Sequence, residues 1–391
     1  MTAVDLSAER ALEQAAEQTG LSELDGDSWR EGLERLVDAL QNEADLNELG
    51  AALVEGELVG YLADRMRVVE WRTSHPEIVG VDVVPPIVIV GQGRTGTTIL
   101  HELLGMDPAS RVPLTWEVDH PVPPPETATY DTDPRIAEVD ATLAGVDLVL
   151  PGFQQMHPMG AELPQECVRI TASDFRSMIF PTQYSVPSYA HWLLHEADMA
   201  PAYRWHRIFL EHLQSRHPAQ RWVLKSPGHA WCLGALHAEY PNALLVQTHR
   251  DPLRILASLS SLVARLRSLA SDASTVERAA NDFAENILLG LDRSVDVRED
   301  GAIPADHVVD VQFRSFMAEP FGTVHEIYDK LGLELAPAAE QRMRDFFAAN
   351  PRDKHGTHTY TFAETGLDVG EWRERSRRYQ EYFDVPSESL G

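Results

Sequence analysis

The segment GQGRTGTT, residues 91–98, places three glycines, one arginine and three threonines within eight residues. Gly91, Gly93 and Gly96 permit a tight turn, and the N–H groups of such a turn at a helix start form a nest for an anion. Arg94 adds a permanent forked charge, and Thr97 and Thr98 add hydroxyl donors. A nucleotide-triphosphate loop of the form G-x-x-x-x-G-K-[ST] needs a lysine where Thr97 stands. The loop therefore predicts a phosphate-like ligand held by an arginine inside the turn.

Two further cation-bearing clusters follow apolar runs. In RWVLKSPGH, Lys225 precedes Ser226 and Pro227, with His229 four residues on. In ALLVQTHRDPLRILASLSSL, Arg250 leads into a helical pattern that carries Ser258 eight residues later, about two turns along. An arginine and a hydroxyl at that spacing can grip a second phosphate. Taken singly, a lysine is a solvated surface residue and an R-D-P turn is a capped helix start. Three such clusters at three strand ends are expected to converge on one crevice.

The elements that would position them are legible as short apolar strands separated by helical stretches. Candidate strands are Ile87–Val90, Trp222–Leu224, Ala243–Thr248 and Val308–Val311. The pattern predicts an α/β, P-loop-type three-layer fold with a mostly parallel central sheet flanked by helices. In such sheets ligands sit beyond the carboxyl ends of the strands. Residues 1–80 read as an acidic N-terminal helical cap, with Asp27 or Ser28 capping a helix, and 81–391 as the α/β domain. Residues 112–135 are proline-rich and irregular. Residues 150–215 are rich in aromatics and are expected to wall an acceptor pocket, or to fill core. The tail after Trp372 is charged and ends in a helix near Phe383.

Across 391 residues the net charge is −28, which argues against nucleic acid or an anionic membrane as partner. An anionic ligand must then be held by a few placed cations. Cys167 and Cys232 make neither a disulfide framework nor a metal cluster and read as buried structural thiols. No apolar run is long enough to span a bilayer and no leader is evident, so a cytoplasmic location is expected.

GQGRTGTT together with THRDPLRILASLSSL resembles the two cofactor signatures of sulfotransferases that use 3′-phosphoadenosine 5′-phosphosulfate (PAPS). The bacterial, actinobacterial-type branch is the most similar, and it shares a loop arginine with tyrosylprotein sulfotransferases. The likeness extends through TWEVDHPVPPP, ELPQEC, LKSPGHAWCLGAL and HGTHTYTFAETGLD. It implies that Arg94, Thr95, Gly96, Thr97 and Thr98 hold the 5′-phosphosulfate, and that Arg250 and Ser258 hold the 3′-phosphate. Two departures matter. Ile99 stands where cytosolic members carry a tryptophan, and their C-terminal glycine-rich loop is absent, with Lys354, His355 and Gly356 as a candidate substitute.

The resemblance also implies a base about twenty residues after the loop arginine, and Glu117 lies 23 after Arg94. A salt bridge to Arg94 or Lys225 is the alternative role for Glu117. His120 and His229 are further candidates for the base, with Glu162 and Glu166 as nearby carboxylates and Glu166 leaning structural. Lys225 and Arg94 would meet charge on the leaving group, without a metal. The expected acceptor is a small hydrophobic alcohol or phenol. A P-loop kinase and a non-catalytic nucleotide-binding module are the competing readings.

Overall fold

The computed structural model describes residues 6–150, 158–350 and 359–390. Among these residues five strands form one parallel sheet: β1 (Ile87–Val90), β2 (Ser110–Arg111), β3 (Arg221–Lys225), β4 (Leu244–His249) and β5 (Val308–Gln312). Their spatial order is β2-β3-β1-β4-β5, so β1 lies at the centre, paired to β3 on one side and β4 on the other. The four candidate strands are present; the two-residue β2 is too short to show in the sequence pattern.

Alternation along the strands divides the core. Ile87 and Ile89 join Val223, Val246 and Val309 against helix Thr97–Gly105 and helix Pro320–Lys330. Val88 and Val90 face the other way, with Trp222, Leu224 and Leu245, against helix Ala200–Gln214 and helix Leu233–Glu239. Side chains on a strand point alternately to opposite faces, so an all-apolar strand must be covered on both. This is the predicted three-layer arrangement.

The N-terminal helices Ala8–Thr19, Ser28–Asn42 and Glu48–Ser74 share a third core cluster with helix Pro252–Arg267 and helix Val276–Glu299. Contact is close at Gly50, where an added Cβ would lie 2.2 Å from the Ala270 carbonyl oxygen. A buried ion pair, Arg65 to Asp174 at 3.1 Å, ties the longest of these helices to the chain beyond the sheet's first crossover. The expected side-chain cap at Asp27 or Ser28 does not form. Asp27 makes no capping bond, and Ser28 Oγ instead donates to Asp174 Oδ1 at 2.6 Å.

Candidate active site

The loop after β1 is built on left-handed backbone. Gly91 has φ 135°, and a Cβ there would lie 2.3 Å from Thr248 Oγ1 on β4, so only glycine lets the loop leave the sheet at this point. Arg94 itself has φ 71°, an uncommon conformation for a side-chain-bearing residue. Thr95 holds the turn from beneath. Its hydroxyl donates to the Gln92 carbonyl at 2.7 Å and lies 2.6 Å from Thr248 Oγ1. Thr95 is 1% exposed, so its side chain braces the loop, and only its backbone N–H remains to offer a ligand.

The two signatures meet in space. Arg94 Nε donates to Ser258 Oγ at 3.0 Å, and Arg250 donates from one terminal nitrogen to the Arg94 carbonyl at 2.9 Å. The other edge of Arg250 pairs with Glu388, at 3.0 and 3.2 Å. Arg254, one turn further along helix Pro252–Arg267, lies 3.9 Å from the same carboxylate. Arg254 and Ser258 share a face of that helix at i, i+4 spacing, and Arg250 stands just before its N-cap, Asp251. Arg254 was missed in the sequence, although that spacing marks it.

Lys225 ends β3 and is 2% exposed. Its ammonium reaches Thr98 Oγ1 at 3.4 Å and pairs with the Glu166 carboxylate. Beside Glu166 and Thr98 opens a cavity of about 410 Å³. Its polar end carries Gln92, Gly93, Arg94, Thr97, Thr98 and Glu166, and its walls include Leu163, Ile179, Leu259, Leu262, Leu266 and Phe283. A second polar group, Asp119 paired to Arg169 at 3.1 Å, lies on the same cavity. The walls come from residues 158–183 and also from Leu143, Val146, Trp231 and the two helices after β4. The aromatics Phe175, Phe180, Tyr189, Trp192, Trp205 and Phe209 are core residues instead.

Several expected roles change on this geometry. Glu117 does not line the cavity. It is wholly buried, ion-paired with Arg111, and its second oxygen accepts the Leu114 N–H at 2.9 Å at the start of helix Thr115–Asp119. Its pairing is with neither Arg94 nor Lys225. His229 is buried, with Nδ1 2.8 Å from Tyr203 Oη. It borders a separate, water-sized cavity of about 20 Å³. Burial, then the neighbouring His206, pulls its pKa down to about 3, so it is a poor proton acceptor at neutral pH. His120 and exposed Glu162 also lie off the large cavity. Glu166, read as structural, is the carboxylate that lines it beside the loop. Lys354, His355 and Gly356 lie outside the described residues.

Among the described residues no cluster of metal-ligating side chains occurs. No described helix is long and apolar enough to cross a membrane. Cys167 and Cys232 are free thiols that burial pushes up to about 12.

Comparison with known proteins shows the family. Residues 85–337 match the profile of the Sulfotransferase family. The sulfotransferase STF9 from Mycobacterium avium superposes with a TM-score of 0.89 at 31% identity, covering 98% of each chain. The sulfotransferase STF1 from Mycobacterium tuberculosis superposes with a TM-score of 0.85 at 33% identity, covering 96% of this chain and 99% of that one. The omega-hydroxy-beta-dihydromenaquinone-9 sulfotransferase Stf3 of Mycobacterium bovis is 24% identical over 305 residues, 75% of each chain.

Proposed function

The chain belongs to the sulfotransferase family, and on that premise we propose that it transfers a sulfuryl group from PAPS to the hydroxyl of a hydrophobic, lipid-like alcohol or phenol. The observation that carries the donor assignment is the contact of two anion grips. The loop holding Arg94 and the face holding Arg250 and Ser258 are hydrogen-bonded to each other. A ligand with one anionic group at each end of a nucleoside suits that pair. ATP, with all its phosphates in one run, uses only one of them.

In this reading the loop N–H groups, Thr97 and Thr98 orient the phosphosulfate, and Arg250 with Ser258 takes the 3′-phosphate. Sulfuryl transfer, like phosphoryl transfer, depends mainly on positioning and on meeting developing charge. The acceptor oxygen bonds to sulfur as the bond from sulfur to the bridging oxygen breaks. The bridging oxygen leaves with the electron pair on 3′,5′-adenosine diphosphate (PAP), where Lys225 and Arg94 face the charge. The acceptor proton passes to Glu166, in place of the expected Glu117. As the structure stands Glu166 is held by Lys225; when Lys225 turns to the bridging oxygen, the carboxylate is released towards the cavity.

The cavity supports the acceptor class. It has the size of a small-molecule pocket, with mostly apolar walls and polar groups at the loop end and at the Asp119–Arg169 pair. Stf3, by its name, is a sulfotransferase of omega-hydroxy-beta-dihydromenaquinone-9, and a long apolar chain suits Leu163, Ile179, Leu259 and Leu262. The test is transfer of labelled sulfate from PAPS to farnesol and to naphthol, without added metal. Label should reach at least one acceptor, and Glu166→Gln should abolish the transfer. Phosphorylation of these alcohols from ATP and magnesium, with no sulfate transfer, would overturn the reading.

A further inference from the structure

We propose that Glu388 is an intramolecular competitor for the 3′-phosphate seat, so that the donor binds by displacing it and its return helps expel PAP. The inference rests on the assignment of Arg250 to the 3′-phosphate. Of the Arg250 nitrogens, one terminal nitrogen is committed to the Arg94 carbonyl. Its Nε and second terminal nitrogen form a two-toothed edge, the geometry that grips carboxylates and phosphates. Glu388 occupies it with both oxygens, at 3.0 and 3.2 Å. A phosphate on that edge and the Glu388 carboxylate exclude one another.

The fit of the carboxylate is incomplete. Arg254 Nε is buried and has no hydrogen-bond partner among the described residues, and it stands 3.9 Å from Glu388, beyond hydrogen-bond reach. A phosphate has a third oxygen with which to meet it, and carries more charge. Glu388 therefore fills the seat less well than the 3′-phosphate would.

The segment around Glu388 is anchored so that only the side chain need move. The Glu388 N–H donates to Asp251 Oδ2 at 2.6 Å, and Asp251 is in turn gripped by Arg373. Gln380 Nε2 donates to the Val385 carbonyl at 3.0 Å. The Glu388 side chain is 27% exposed while that of Arg250 is 9% exposed, so the carboxylate can swing outward while its backbone stays in place. A site whose competent state is only partly populated binds its ligand more weakly by that fraction. Removing the competitor restores it.

The experiment is calorimetric binding of PAP and of 5′-ADP to wild type, Glu388→Gln, Glu388→Ala and Arg250→Ala, and of PAP to Arg250→Ala/Glu388→Gln. Both Glu388 variants should bind PAP about tenfold more tightly and should lower the concentration at which PAP inhibits turnover. ADP controls for the general loss of one negative charge, and its affinity should not change. In the Arg250→Ala background, Glu388→Gln should have no effect on PAP. Suppose PAP affinity is unchanged or lower in both Glu388 variants while Arg250→Ala still weakens PAP selectively. The competition is then overturned and the donor assignment stands. If wild type binds PAP no better than ADP and Arg250→Ala affects both alike, the donor assignment and the competition fail together.

Discussion

Arg94 Nε donates a 3.0 Å hydrogen bond to Ser258 Oγ, joining the loop after β1 to the helix after β4 across 164 residues of sequence. The hydroxyl thus holds a loop cation in place, and Arg250 holds the carbonyl of the same residue. Ser258 is 1% exposed, so Ser258→Ala removes a buried partner of a charged group. A hydrogen bond of that kind contributes about 1.5–3 kcal/mol. PAP binding should weaken at least about tenfold, with a smaller loss for ADP, measured by calorimetry.

Lys225 is the buried ammonium at the end of β3, within 3.4 Å of the Thr98 hydroxyl. Its proposed role is to meet charge that develops only as the sulfate leaves. Lys225→Met should therefore lower kcat by about a hundredfold or more while changing PAP affinity much less. Steady-state kinetics beside a binding isotherm separate the two effects. Loss of PAP affinity as large as the loss of kcat would make Lys225 a binding group only.

In the proposed mechanism Glu166, rather than Glu117, takes the acceptor proton. Glu117 is wholly buried against Arg111 and completes a helix start. Glu117→Gln breaks a buried ion pair, at a cost of about 3–5 kcal/mol, which a thermal melt will show. The fraction that stays folded should keep its sulfate transfer. Glu166→Gln should do the opposite, with a modest change in melting temperature and no turnover. Full activity in Glu166→Gln would remove it from the mechanism.

How much of this was legible in the sequence follows from which contacts are local. The glycine pattern of residues 91–98, the apolar strands and the i to i+8 spacing of Arg250 and Ser258 are short-range features, and they carried the fold and the expectation of two anion grips. Glu117 was misplaced because spacing from Arg94 says nothing about direction. Strand β2 and the turn after it point the carboxylate at Arg111, inside the molecule. Glu166 meets Lys225 across 59 residues and Glu388 meets Arg250 across 138. Such pairings depend on how separate crossovers stack, which no local pattern encodes. The aromatics of 150–215 were ambiguous for the same reason, since core and pocket wall need the same residue types.

His229 is neutral in the fold. Its pKa is lowered from 6.5 to about 3, chiefly by burial, and the buried His206 and His101 are lowered likewise to about 3. In the unfolded chain these imidazoles titrate near 6.5. Above that value the shifts do not bear on stability. As pH falls from about 6.5 towards 3 the unfolded state takes up protons that the folded state refuses, so stability declines. At pH 5 the loss is about 1–2 kcal/mol per histidine. Melting temperature followed from pH 7.5 to 5 should fall, and His229→Asn should flatten part of the slope while leaving sulfate transfer in place. A His229→Asn protein that is well folded at neutral pH but inactive would return His229 to the catalytic machinery.

The most direct measurement is calorimetric binding of PAP and ADP, without magnesium, to wild type and Arg250→Ala. Wild type should prefer PAP by about tenfold or more, because Arg250 and Ser258 hold the group that ADP lacks. Arg250→Ala should erase that preference and leave ADP nearly unaffected. Equal affinity of wild type for both nucleotides, or equal losses for both in Arg250→Ala, would contradict a PAPS site built from these two grips.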